Sequence, residues 1–269
     1  MQFSDYQKAI EAIQYFIESN SLERRLLIAQ FQLLKEIIDF EQEKKFEPKE
    51  TFIAKIGSFF PKNQGRTALI ADIHGNCDGL QAVLNEIEQQ KCDRIICLGD
   101  LVDGGEQNTE VVQLIRKRNV ICVKGNHDEE NNLCLDRETD GFLKTLPVSI
   151  IEGNIIFTHA SPRKKSQSIV TPIEAWNVFQ EILYRIVFVA HIHRPALFGE
   201  RSDHSCTAKE YTIEYGHPMP LKTEDRYIIC IPPIGYTRDE ILKIRYGIYD
   251  YNKETIEFRI VNGPLLKFG

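Results

Sequence analysis

The sequence predicts an α/β fold in which short buried strands alternate with amphipathic helices. Three observations predict it. From Thr67 onward, apolar runs rich in β-branched residues recur at residues 67–71, 94–98, 120–124, 155–158 and 186–190. Helical stretches lie between them, which is the pattern of βαβ units and a mainly parallel central region with covered faces. Each run also ends on aspartate, asparagine or histidine, and parallel strands would bring those residues to the carboxyl edge of one sheet, where open α/β sheets bind ligands.

The elements follow in order along the chain. Residues 4–48 read as two amphipathic helices separated near Ser19 and Ser21. The first opens with Ser4 and Gln7 at capping-box spacing and places Tyr6, Ile10, Ile13 and Ile17 on one face. The second carries Leu27, Phe31, Leu34 and Ile38 at helical spacing. This predicts an N-terminal helical hairpin packed as an appendage, with a proline-containing linker over residues 47–66. The expected domains are therefore residues 1–66 and 67–269.

Within the second domain, Leu80, Val83, Leu84 and Ile87 define a helix over residues 78–90, and Val111, Leu114 and Ile115 another. Trp176, Phe179 and Leu183 mark a third as packing residues. An irregular, polar insertion is expected at about residues 195–227. Strand-like runs return at residues 228–231, 242–249 and 255–261, the last two joined by Tyr251-Asn252-Lys253 as an antiparallel hairpin.

Composition narrows the function classes. The chain has 269 residues and 42% hydrophobic composition, enough for one large α/β domain with an appendage. Its 33 basic and 39 acidic residues leave a net charge of −6, so neither nucleic acid nor an anionic membrane is an expected partner on charge, and any polyanion site must be local. Seven cysteines without C-x-x-C spacing read as reduced core residues. With no 18-residue apolar run and no signal-like segment at the start, the expectation is a cytoplasmic, membrane-free protein. Oligomeric state is not legible.

The chemistry lies at the strand ends. Asp72-Ile73-His74 sets two ligands at alternate positions, and Gly99-Asp100-Leu101-Val102-Asp103 adds a carboxylate whose two oxygens can bridge ions about 3.5–4 Å apart. Gly125-Asn126-His127-Asp128 offers an amide oxygen and a proton donor; His159 and His191-Ile192-His193 follow two further runs. Carboxylate, amide and imidazole without thiolate favour two divalent ions drawn from Mn, Fe, Zn or Ni, with Mn first among them. Two such ions against Asp72 and Asp100 leave roughly +2, an attraction for phosphate in an acidic protein.

The ordered set D-x-H, G-D-x-x-D, G-N-H-D, H and H-x-H resembles the calcineurin-like metallophosphoesterase superfamily over about residues 67–262. That resemblance implies a metallophosphoesterase-type α/β sandwich, with central β-sheets flanked by helices, that hydrolyses phosphate esters. It implies that Asp72, His74 and His193 hold one ion, Asn126, His159 and His191 the other, and Asp100 both. It further implies that His127 is the general acid, oriented by Asp103. Within the superfamily, residues 231–239 and 246–250 look like the closing segment of small bacterial phosphodiesterases related to predicted diadenosine tetraphosphatases. In that segment Ile231, Pro233 and Ile234 replace Asn, Gly and Ser. Gly104 stands where the serine/threonine protein phosphatases have a phosphate-binding arginine, which argues against phosphoprotein substrates.

These roles make physical sense. A metal-activated hydroxide attacks in line while two ions stabilise phosphoryl charge, and the leaving oxygen still needs a proton near neutral pH, which a histidine can give. The expected function is a phosphodiesterase or nucleotide pyrophosphohydrolase acting on a phosphate-ester or nucleotide substrate; the alternatives are a phosphomonoesterase and a non-catalytic binding scaffold. Four positions carry two readings each. Asp103 either orients His127 or caps a turn, and Asp128 either starts a turn or joins the chemistry. Asn76 either contacts phosphate or caps a helix, and Arg163 either collects substrate with Lys164 and Lys165 or is simply solvated.

Overall fold

A computed structural model describes residues 65–163, 167–201 and 206–267. The predicted N-terminal hairpin, Lys164 and Lys165 lie outside the described residues. The described elements run in order as β1 (Arg66–Ile70), α1 (Cys77–Gln89), β2 (Arg94–Cys97), α2 (Asn108–Lys117), β3 (Ile121–Cys122), α3 (Asn126–Glu129), α4 (Arg137–Thr145), β4 (Ser149–Glu152), β5 (Ile155–Thr158), α5 (Pro172–Glu181) and β6 (Ile186–Val189). They continue as β7 (Ala196–Gly199), β8 (Lys209–Glu210), β9 (Met219–Pro220), β10 (Tyr227–Cys230), β11 (Ile244–Asp250) and β12 (Thr255–Val261).

The strands form two six-stranded mixed sheets, ordered β3-β2-β1-β11-β12-β9 and β4-β5-β6-β10-β7-β8. Strands β1, β2 and β3 are parallel in the first sheet, and β5, β6 and β10 in the second. The predicted hairpin at residues 242–261 forms as drawn, with Ile248 opposite Glu257.

Leu69, Ile96 and Val123 of the first sheet share one core with Phe157, Phe188 and Ile229 of the second, and the Phe157 and Phe188 rings stack 5.1 Å apart. The other face of the first sheet packs on α1 and α2 through Ile70, Leu80, Val83 and Val111. The outer face of the second packs on α5 through Val187, Val178 and Phe179. The layers are thus helix, sheet, sheet, helix. Each fully buried Leu, Ile or Phe contributes about 1.5–3 kcal/mol, so the central layer supplies much of the rigidity beneath the strand ends.

Helix starts obey the sequence. Thr171 and Glu174 close a reciprocal capping box ahead of Pro172, and Asp136 accepts hydrogen bonds from the Glu138 and Thr139 amides.

Three expectations are corrected. The ligand-bearing strands belong to two sheets, not one: β1, β2 and β3 to the first, β5 and β6 to the second. A run buried on both faces reads the same whether a helix or another sheet covers it. The insertion at residues 195–227 is not wholly irregular, because Ala196–Gly199 is a fully buried strand paired with β10, and two-residue strands occur at Lys209 and Met219. Four residues without a β-branched side chain gave that strand no signature. Leu183 lies beyond the end of α5 and is exposed, so it is not on the packing face that Phe179 and Trp176 share. Sequence reading also passed over β4, although Gly153 and Asn154 turn it tightly into β5.

Candidate metal centre

The turns that follow β1 and β2 stay laced together after the strands end. The amides of Asp72, Ile73, His74 and Gly75 donate to the carbonyls of Gly99, Asp100, Asp100 and Leu101 at 2.8–3.0 Å. The His159 carbonyl accepts from the Ala190 amide at 2.8 Å in the second sheet. The ligand turns therefore extend the sheets instead of hanging from them. Asp72, His74, Asp100, His191 and His193 all take φ between +49° and +69°, a left-handed backbone uncommon for residues with a Cβ and concentrated at functional sites.

Two close approaches need glycine. A Cβ on Gly125 would lie 2.0 Å from Asp100 Oδ1, and one on Gly235 would lie 2.9 Å from the Asp72 carbonyl oxygen. Asp128 accepts from the amides of Asp100, Leu101 and Gly125 at 2.7–2.9 Å, and so joins the turn after β2 to the turn after β3. Its turn-starting reading holds and gains this bracing part. Burial and the neighbouring Asp100 charge push its pKa up to about 6.

Two groups of side chains converge. Asp72, His74, Asp100 and His193 can each offer an atom within 4.8 Å of the others, and so can Asp100, His159 and His191. Asp100 belongs to both groups. Asn126 Oδ1 lies 3.0 Å from His159 Nε2, which places the amide at the second group. All seven predicted ligands come together.

The donors suit a cation. Asp72 and Asp100 are fully buried, yet neither Asp72 oxygen nor Asp100 Oδ2 completes a hydrogen bond of good geometry. His74 Nδ1 faces the Asp103 carbonyl at 2.6 Å, and His193 Nδ1 the Tyr236 carbonyl at 2.9 Å. Carbonyls only accept, so both rings carry their proton on Nδ1, and the two Nε2 lone pairs face each other 3.2 Å apart. His159 repeats the arrangement, with Nδ1 on the Leu98 carbonyl at 2.7 Å and Nε2 3.2 Å from His191 Nδ1. Unpaired buried oxygens and opposed lone pairs fit a positive ion between them.

The electrostatics agree. Burial, with Asp100 adding, pushes Asp72 up to about 7, against the pull of His159. Burial acts on Asp100 in the same sense, but His159 and His74 outweigh it and hold that carboxyl well below the usual range. Burial alone would lower His159; Asp100 and Asp72 carry it up to about 9. Burial and neighbouring imidazoles lower His191 to about 4 and His193 to about 3. Asp100 Oδ2 and His159 Nε2 are 3.1 Å apart, so a proton at that nitrogen stands where a metal ion's charge would act.

The remaining expected residues divide. His127 Nδ1 lies 2.6 Å from Asp103 Oδ2 with both side chains about one-third exposed, and the His127 ring meets His74 edge-on at 4.9 Å. The orienting reading of Asp103 fits this geometry. Asn76 is corrected: its Oδ1 caps α1 at Gly79 while its Nδ2 donates to the carbonyls of Ile234 and Pro264, and it is only 3% exposed, so no part of the amide remains for substrate. Arg163 pairs with Glu181 at the end of α5 and stays partly exposed. Sequence reading missed a contributor on the loop after β10. Tyr236 stacks obliquely on His193 at 4.3 Å and on His74 at 4.9 Å, and it hydrogen-bonds Arg238. The signal was the segment quoted at residues 231–239.

A layered sandwich that gathers imidazoles and carboxylates at strand ends from both sheets is the architecture of a metal-dependent hydrolase. The chain matches the calcineurin-like phosphoesterase family over residues 65–230 and belongs to it. It is a metal-dependent phosphoesterase. It is 32% identical over 216 residues to the uncharacterised protein MJ0912 of Methanocaldococcus jannaschii, covering 71% of this chain and 84% of that one. Its fold is similar to a metallophosphoesterase from Sphaerobacter thermophilus, with 27% identity, a TM-score of 0.66 and coverage of 75% and 90% of the two chains. It also resembles the hypothetical protein PH1004 from Pyrococcus horikoshii OT3, with 17% identity, a TM-score of 0.53 and coverage of 74% and 88%. No helix among the described residues is long and apolar enough to cross a membrane.

Proposed function

We propose that the protein is a dinuclear phosphodiesterase or nucleotide pyrophosphohydrolase, with manganese the favoured metal. The carrying observation is the pair of ligand groups meeting at one buried carboxylate, Asp100, whose Oδ2 faces His159 Nε2 at 3.1 Å. Asp72, His74, His193 and Asp100 would hold one ion, and Asp100, Asn126, His159 and His191 the other. When bound, such ions lower the pKa of water and neutralise charge on phosphoryl oxygens.

The chain's own residues do the rest. Asp103 anchors His127 Nδ1, which leaves Nε2 to hold a proton for the departing oxygen. The main chain at Leu98, Asp103 and Tyr236 fixes the ligand tautomers. Residues 67–269 are the catalytic domain in this reading and residues 1–66 an appendage. All seven cysteines are unpaired, which supports a reducing, cytoplasmic setting.

The test is a panel of divalent metals combined with a bis-aryl phosphate, a mono-aryl phosphate and a dinucleoside polyphosphate, with elemental analysis of the protein. Turnover of the bis-aryl or polyphosphate compound with two ions per chain is expected. Cleavage of the mono-aryl compound alone would make the enzyme a phosphomonoesterase.

A further inference from the structure

Beside the second ligand group, a cavity of ≈ 140 Å³ opens between the turn after β3 and the β4–β5 edge of the second sheet. Asn126 and His159 belong to its wall, so it is continuous with the metal centre. Neither His74 nor His127 lines it. His127 instead packs against His74 on the side of the other ligand group. His127 thus lies outside the cavity wall, and a diester bound at the centre could turn its leaving oxygen toward His127 and its retained arm toward the cavity.

The lining states what that arm is. Val148, Ile156 and Pro162 offer an apolar surface, while Glu129, Ser149 and Ser161 bring polar side chains. A sugar ring carries the matching pair of surfaces, C–H on its face and hydroxyls on its edge. The volume is about that of an engineered cavity that takes a single benzene ring, which matches one ring. We propose that this cavity is the subsite for the sugar ring of the retained ester arm, which makes nucleotide-type or sugar phosphodiesters the substrate class. The inference rests on the phosphodiesterase reading and sharpens it.

Val148 is 56% exposed at the rim, so enlarging it leaves the core untouched. The experiment compares thymidine 5′-(p-nitrophenyl phosphate) with methyl p-nitrophenyl phosphate, which share a leaving group and differ in the retained arm. The sugar compound is expected to show a KM about tenfold lower. In Val148→Phe the ratio of the two KM values is expected to fall to about one; Val148→Ala, which trims the wall without obstructing the space, is expected to keep most of the preference.

Calorimetry with thymidine 5′-monophosphate against inorganic phosphate gives a readout independent of turnover. Protein that hydrolyses neither diester yet binds the nucleotide more tightly than phosphate keeps the subsite and overturns the phosphodiesterase reading. Active enzyme with equal KM values for both diesters, or a Val148→Phe variant that weakens both alike, overturns the subsite.

Discussion

The two ends of the sandwich treat buried polarity in opposite ways. At the amino ends of β1 and β2, Arg94 reaches across to the second sheet and donates to both Glu152 oxygens at 2.6 and 2.7 Å, to the Tyr251 hydroxyl at 2.7 Å and to Thr67 Oγ1 at 3.0 Å. The Tyr251 hydroxyl in turn donates to Glu152 at 3.0 Å. At the carboxyl ends, Asp72 and Asp100 sit deeper, and neither Asp72 oxygen nor Asp100 Oδ2 completes a hydrogen bond of good geometry. Both clusters tie one sheet to the other. Only the first is complete within the chain, and the difference separates polar groups that hold a fold from polar groups that wait for a ligand.

The largest effect is expected where the incomplete cluster is cut at its shared member. Asp100→Ala should lose both ions by elemental analysis and lower hydrolysis by at least ~10³; two ions retained per chain would break the contrast. His127→Ala comes next, lowering turnover of substrates with poor leaving groups by about 10²–10⁴ while metal content stays at the parent value. A variant that cleaves an alkyl ester at the parent rate would remove His127 from the reaction.

Smaller changes belong to the complete cluster. Glu152→Gln leaves Arg94 without its carboxylate and should lower stability by about 2 kcal/mol in denaturant unfolding, with kcat/KM and metal content unchanged. Loss of metal from that variant would show that the two ends are not independent. The smallest effect concerns Asp239, which pairs with the fully buried Arg245. Burial would raise its pKa, but hydrogen bonds from Arg245 and Thr237 hold it below the ordinary carboxylate range. Its stabilising contribution is complete above that range and fades as pH falls through and below it. Thermal midpoints measured from pH 6 down to pH 3 should therefore fall less in Asp239→Asn than in the parent.

The contrast also explains what the sequence disclosed. The ligands stood out because each closes a β-branched run, and the chemistry needs unusual residue types there. The helices at Leu80–Ile87 and Val111–Ile115 were equally plain, since one apolar face repeats at helical spacing. The division into two sheets was hidden, because strands such as Ile155–Thr158 and Ile186–Val189 are buried on every side and their pattern does not say what covers them. Arg94, Glu152 and Tyr251 look like ordinary surface residues until pairing brings them together across 157 positions of chain. Asn76 shows the converse: nearness in sequence to a ligand suggested a part in binding, and local capping had already engaged it.

The left-handed backbone at five of the seven ligand positions has a consequence for how such a site can change. Each non-glycine residue held there raises the energy of the folded chain by roughly 1–2 kcal/mol relative to glycine. Glycine at Asp72 or His191 would relax the turn and erase the donor in a single step. Loss of the chemistry is therefore downhill for the fold, and only selection for hydrolysis keeps these side chains in place.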